Sequence, residues 1–173
     1  ELPLGGGAEL PLGGGRVMPS PLTIGKLAAF AAIRPGERVL VIGANTGYGA
    51  AVLASCGGTV FALEPDAELR ALAAAALAAE APEVRLLAGR LRDGAPQHAP
   101  FDLIVIEGLI EALPAALSSQ LTPAGRVIAI VRQRGVGRIV RAERSGAGLA
   151  QHVLADCQVS KLPGFDPEPA FVF

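Results

Sequence analysis

Cysteine and histidine are scarce in this chain. Cys56 and Cys157 are the two cysteines, and His98 and His152 the two histidines, in 173 residues. Neither pair has metal-ligand spacing, so a zinc site is excluded as an expectation. Cys56 sits at the end of an apolar helical stretch and reads as a buried packing residue. No apolar run reaches the roughly 18 residues that a membrane helix needs. The Ala-rich stretch 71–79 is too short and is flanked by charges. A signal peptide is not visible, which leads to an expected cytoplasmic location. Net charge is −1, so a nucleic-acid surface is not implied. The chain begins at Glu1 without Met, and an upstream part is expected to be missing.

What is present is apolar and ordered. Hydrophobic residues make up 51% and mean hydropathy is +0.45, so the chain is not disordered. Its length fits one domain with a sizeable core. Val39 to Ile42 reads as a strand covered on both faces. The Gly-rich turn Gly43, Ala44, Asn45, Thr46, Gly47, Tyr48 and Gly49 follows, then a helix through Ala54, then a second apolar strand from Thr59 to Leu63. This is a βαβ unit. Glu64 closes it 21 positions after Gly43, where an acid can take ribose hydroxyls. Glycines allow close backbone approach, and a helix N-terminus favours anionic groups. The unit therefore reads as a site for a nucleoside-containing cofactor. Its glycine order, Gly-x-x-x-Gly-x-Gly, differs from the pyrophosphate-binding Gly-x-Gly-x-x-Gly. That favours S-adenosylmethionine over a nicotinamide dinucleotide.

Along the rest of the chain, the duplicated Glu-Leu-Pro-Leu-Gly-Gly-Gly at the N-terminus makes 1–22 an expected irregular Gly/Pro-rich segment. The domain proper is expected over 23–173. Helices are expected over 23–33, from the cap Asp66 to Glu80, and over 113–121. Strands are expected over 84–87, 101–106 and 126–131. Glu107 and Gly108 are expected to end the fourth strand, with Glu107 and Glu111 read as solvated acids. Residues 138–143 and 151–161 read as a closing hairpin around Ser145 to Gly148. Arg132, Arg134, Arg138 and Arg141 read as a solvated basic surface, and His98 as an exposed loop residue. Alternating strands and helices give an α/β fold with helices on both faces of a mostly parallel sheet.

Four stretches resemble the protein-L-isoaspartate O-methyltransferase family. Gly15-Arg16-Val17-Met18-Pro19-Ser20-Pro21 resembles its Gly-Gln-x-x-Ser-x-Pro. Ile33 to Tyr48 resembles its Lys-Pro-Gly-x-x-Val-Leu-x-Ile-Gly-x-x-x-Gly-Tyr. Ala99-Pro100-Phe101-Asp102 leads into the fourth strand as in the family. Leu121-Thr122-Pro123-Ala124-Gly125-Arg126 resembles its Leu-x-x-Gly-Gly-Arg. The resemblance implies a Rossmann-like sheet of seven strands with an antiparallel last strand. It also implies S-adenosylmethionine as cofactor, held by Gly43, Ala44, Asn45, Thr46, Gly47, Tyr48, Glu64 and Pro65. The implied acceptor is the carboxylate of a damaged aspartyl residue in an isoaspartyl-containing peptide or protein, with Ser20 as the nearest hydroxyl to the family's catalytic serine. The family's own serine position is Pro19, its acid before the first glycine is Val41, and its adenine-side Asp is Arg90. Those departures support a second reading, a cofactor-binding or interaction protein that keeps the fold without turnover.

Overall fold

The computed structural model describes residues 8–146 and 148–165. The described residues open with a two-stranded hairpin, β1 (Leu10–Gly13) and β2 (Arg16–Met18), within the expected irregular segment 1–22, of which 1–7 lie outside the described residues. Gly13, Gly14 and Gly15 all take positive φ, a conformation that glycine adopts without strain. The tight reversal they make lets the flanking residues pair. Helix α1 (Pro21–Ala31) follows, with Pro21 at its first position, where no backbone N–H is lost.

The main sheet holds β3 (Arg38–Ile42), β4 (Thr59–Leu63), β5 (Arg85–Leu87), β6 (Phe101–Ile110), β7 (Leu121–Gln133), β8 (Val136–Ser145) and β9 (Gly148–Asp156). Helices α2 (Tyr48–Ser55) and α3 (Ala67–Glu80) join β3 to β4 and β4 to β5. The spatial order is β5-β4-β3-β6-β7-β8-β9. The five strands β3 to β7 pair in parallel, and antiparallel pairing enters at β7–β8 and β8–β9. The expected seven-stranded, mostly parallel sheet is the one that forms.

Alternation along the strands divides the core. Val39, Val41, Leu103 and Val105 face one cluster with Leu27 of α1, Leu53 of α2 and Leu77 of α3. Leu40, Ile42, Ile104 and Ile106 face the other, which is covered by Leu91, Leu117, Leu162 and Phe165. The α-helices therefore lie on one face. Short 3-10 turns over Leu91–Asp93, Pro96–His98 and Ala115–Gln120 serve the other.

Two local expectations change. Strand β6 does not end at Glu107; its register breaks between Val105 and Leu109, and pairing resumes through Ile110. Cys56 is exposed rather than buried, because it caps α2 at the turn into Gly57. Among the described residues, no helix is long and apolar enough to cross a membrane.

Strand order reverses around β3, with β4 and β5 stepping one way and β6 and β7 the other. In open parallel sheets the crevice for a ligand lies at the carboxyl ends of strands at such a point.

Candidate functional site

The glycine turn after β3 has the backbone its spacing promised. Gly43 has φ +82° and Gly47 +86°, with Asn45 between them at +50°. The N–H groups of Gly43 and Ala44 both donate to the carbonyl of Leu63, at 3.0 and 3.2 Å. The turn is thus tied to the end of β4. A Cβ on Gly43 would meet Leu162 Cδ2 at 2.9 Å, and one on Gly47 would meet Leu77 at 3.0 Å. Leu162 reaches that position because the segment after β9 returns across the sheet. Leu109 N donates to Ser160 O at 3.1 Å, and Leu162 N to Leu109 O at 2.8 Å.

Glu64 follows β4 directly and is fully buried. Asn45 N donates to its Oε2 at 2.9 Å and Asp66 N to its Oε1 at 3.1 Å. The expected acid therefore faces the expected turn. A buried cation also faces it. Arg16, on β2, donates from Nη1 to Oε1 at 2.7 Å and from Nη2 to Oε2 at 2.6 Å. The same Nη2 donates to Asn45 Oδ1 at 2.9 Å. Arg16 is 7% exposed, and its Nε and the Asn45 Nδ2 are buried without a hydrogen-bond partner. This bidentate pair joins residues 48 apart in the chain.

Glu107 completes the cluster. It was read as a solvated acid, but it is 2% exposed. The continuation of β6 past Val105 carries it inward, where its carboxyl packs against Gly49 at the start of α2; a Cβ there would collide with it. Burial, reinforced by the negative charge of Glu64 and opposed by Arg16, pushes its pKa from 4.5 up to about 8. Glu107 is therefore mostly neutral at pH 7, while Glu64 is ion-paired with Arg16.

The other expected residues are spread around this cluster. Thr46 Oγ1 lies 3.4 Å from Met18 Sδ, which ties the turn to β2. Tyr48 is the first residue of α2 and is 42% exposed. Pro65 lines a cleft of about 260 Å³ with Arg90, Leu91, Arg92 and Gly164. Ser20 is buried and caps α1, its hydroxyl accepting from Thr23 N at 3.2 Å and lying 3.1 Å from Thr23 Oγ1. Its oxygen is thus engaged within its own segment. The Arg cluster is a surface of exposed or half-exposed pairs, Arg132 with Glu111, Arg138 with Asp156 and Arg141 with Glu143. His98 is half-buried, its ring 5.3 Å from that of Phe61. Among the described residues, no group of three or more His, Cys, Asp or Glu could hold a metal ion.

Sequence reasoning missed Arg16 as a member of the cluster, and weighed Glu107 as a binding residue or base but ranked a solvated acid above it. The available signal for Arg16 was a cation in the place of a family glutamine. For Glu107 it was an acid following an unbroken apolar run.

The family model for protein-L-isoaspartate(D-aspartate) O-methyltransferase matches residues 7–160. A protein-L-isoaspartate O-methyltransferase of Methylorubrum populi is 42% identical over 145 residues, 84% of this chain and 65% of that protein. One from Methylorubrum extorquens is 40% identical over 145 residues, 84% of this chain and 60% of that protein. The chain thus spans somewhat under two thirds of the length of these curated relatives. Among solved structures, a Plasmodium falciparum protein assigned as a protein-L-isoaspartate O-methyltransferase, in complex with S-adenosyl-L-homocysteine, superposes with a TM-score of 0.69. It is 17% identical, over 89% of this chain and 79% of its own. The match in sequence runs through the glycine turn, Glu64 and all of the parallel strands, and the chain belongs to the protein-L-isoaspartate O-methyltransferase family.

Proposed function

We propose that the chain is an S-adenosylmethionine-dependent methyltransferase that acts on the carboxylate of isoaspartyl residues. One observation carries the reading. The turn Gly43–Gly47, held in positive φ at three positions, presents Asn45 N–H to Glu64 at 2.9 Å, across the point where strand order reverses. Family membership supplies the choice of cofactor. The residues fit a nucleoside group in the turn and in the acid, and the buried, unpartnered Asn45 Nδ2 offers a further donor. Gly43, Asn45, Gly47 and Glu64 would hold S-adenosylmethionine, and the cleft between Pro65 and Leu91 would take its base. When bound, the cofactor supplies an electrophilic methyl group on a sulfonium.

The chain's residues have a modest chemical task. An acceptor carboxylate is already ionised near pH 7. No base is required, and catalysis rests on alignment. Glu107, mostly neutral at that pH, adds little repulsion against an incoming carboxylate. Ser20 holds the start of α1 and so fixes the segment between β2 and the helix. Its proposed part is to shape that segment. The proposal includes a cytoplasmic place of action.

The test is transfer of labelled methyl from S-adenosylmethionine to an isoaspartyl peptide, with the matching aspartyl peptide as control. Labelling of the isoaspartyl peptide alone is expected. Equal labelling of both, or of neither, would remove the substrate assignment.

A further inference from the structure

With Arg16 in place, four hydrogen bonds fill the acceptor sites of Glu64 that a ribose would need. A carboxylate offers about four lone-pair sites. Here Oε1 accepts from Arg16 Nη1 and Asp66 N, and Oε2 from Arg16 Nη2 and Asn45 N. The two backbone donors belong to the βαβ unit. The two guanidinium donors come from outside it, on β2, and take the remaining two acceptor sites. The turn of the hairpin that carries Arg16 is exposed. Leu10 is 53% exposed, and Cβ atoms built on Gly13, Gly14 and Gly15 meet nothing within 4 Å. Among the described residues, the hairpin's other side-chain ties include Met18 to Thr46 and Glu9 to the Ser160 N–H and hydroxyl.

We infer that Arg16 is the affinity-setting gate of the cofactor site: its guanidinium occupies the ribose position on Glu64, and a nucleoside cofactor binds as the β1–β2 hairpin withdraws it. The inference rests on the cofactor reading above and names the regulation of that same site. Only the withdrawn state binds, so the apparent dissociation constant is the intrinsic one divided by the withdrawn fraction. Glutamine, the residue at this place in the family's Gly-Gln-x-x-Ser-x-Pro, cannot make the bidentate charged pair, because it carries neither the charge nor the fork. Arg16→Gln leaves Glu64 its two backbone donors but removes its counter-charge, so the variant is expected to be less stable than the parent and its melting is recorded before titration.

The experiment is calorimetric titration of S-adenosylhomocysteine into the parent chain, Arg16→Gln and Arg16→Lys. Hydrogen exchange of the parent is followed with and without the ligand. Arg16→Gln is expected to bind about tenfold or more tightly than the parent, as a withdrawn fraction of about a tenth or less implies. Arg16→Lys falls between, since a single ammonium replaces the fork. In the parent, ligand should speed exchange over 10–18 while slowing it over 43–48, a response that a purely structural ion pair would not give. Equal or weaker binding by Arg16→Gln, with the parent still binding, overturns the gate and leaves the cofactor reading standing. Absence of binding in all three chains overturns both. If Arg16→Gln does not fold, the Lys variant and the exchange pattern of the parent decide: no gain in affinity and a hairpin protected by ligand would refute the gate.

Discussion

Glu107 keeps its proton because β6 carries it under α2 instead of stopping at the sheet edge. Its pKa of about 8 gives a signed prediction. Below about pH 4.5 both the folded and unfolded chains hold the proton, and the stabilising contribution is fully present. Between 4.5 and 8 the unfolded chain ionises while the folded one does not. The folded state then binds more protons, so stability falls as pH rises through that window and levels off above it. Glu107→Gln mimics the neutral acid. It should melt like the parent near pH 4 and several degrees higher at pH 8, at about 2–4 °C per kcal/mol for a chain of this size. Parallel melting profiles for the two proteins would show that Glu107 is ionised in the fold. A second residue-scale test separates conformation from packing. Gly43 and Gly14 both have positive φ, but only Gly43 is packed, against Leu162. A non-glycine residue in that region costs about 1–2 kcal/mol. Gly14→Ala should show that alone in urea unfolding, and Gly43→Val clearly more. Equal losses would mean that Leu162 yields freely.

At the scale of elements, Arg126 joins α1 to the sheet. Its Nε donates to Ala31 O at 3.0 Å, and Nη2 bonds the carbonyls of Ala31 and Ala32. These are carbonyls that a helix end leaves unpaired. Nη1 and Nη2 also grip both oxygens of Glu37 at 2.9 Å. Arg126 is 6% exposed, so removing it strands several groups at once. Arg126→Ala should cost about 3–5 kcal/mol, measured as a shift of the urea midpoint at unchanged slope. A loss below about 1 kcal/mol, the size typical of an exposed pair, would mean that water replaces the guanidinium. The Arg126 hydrogen bond also holds the Glu37 carboxyl below its usual range, against the opposing effect of burial. That contribution is present above pH 4.5 and is lost as the pH falls through the lowered value. Glu37 and Glu107 therefore act in opposite directions on either side of about pH 4.5.

Over the whole molecule, what was legible depended on sequence distance. The βαβ unit and its turn could be read because spacing, glycines and the apolar strands lie within 27 residues, Arg38 to Glu64. The cap Asp66 and the β8–β9 hairpin could be read for the same reason. Arg16 on Glu64 could not, because nothing local says that a cation in a Gly-rich segment will be buried 48 residues away. Glu107 was misjudged because a strand-end acid usually meets water; here the register break in β6 carries the strand on to Ile110. The N-terminal hairpin was hidden by glycines and prolines, which read as irregular until their positive φ angles form a turn.

The central claim is that the glycine turn and Glu64, at the carboxyl edge of β3 and β4, form the cofactor site. It is tested most directly by amide NMR of the labelled chain during titration with S-adenosylhomocysteine. The account predicts shifts concentrated in residues 43–48 and 64–66, accompanied by Arg16 and its hairpin. Shifts confined to β8 and β9, or no shifts at saturating ligand, would contradict it.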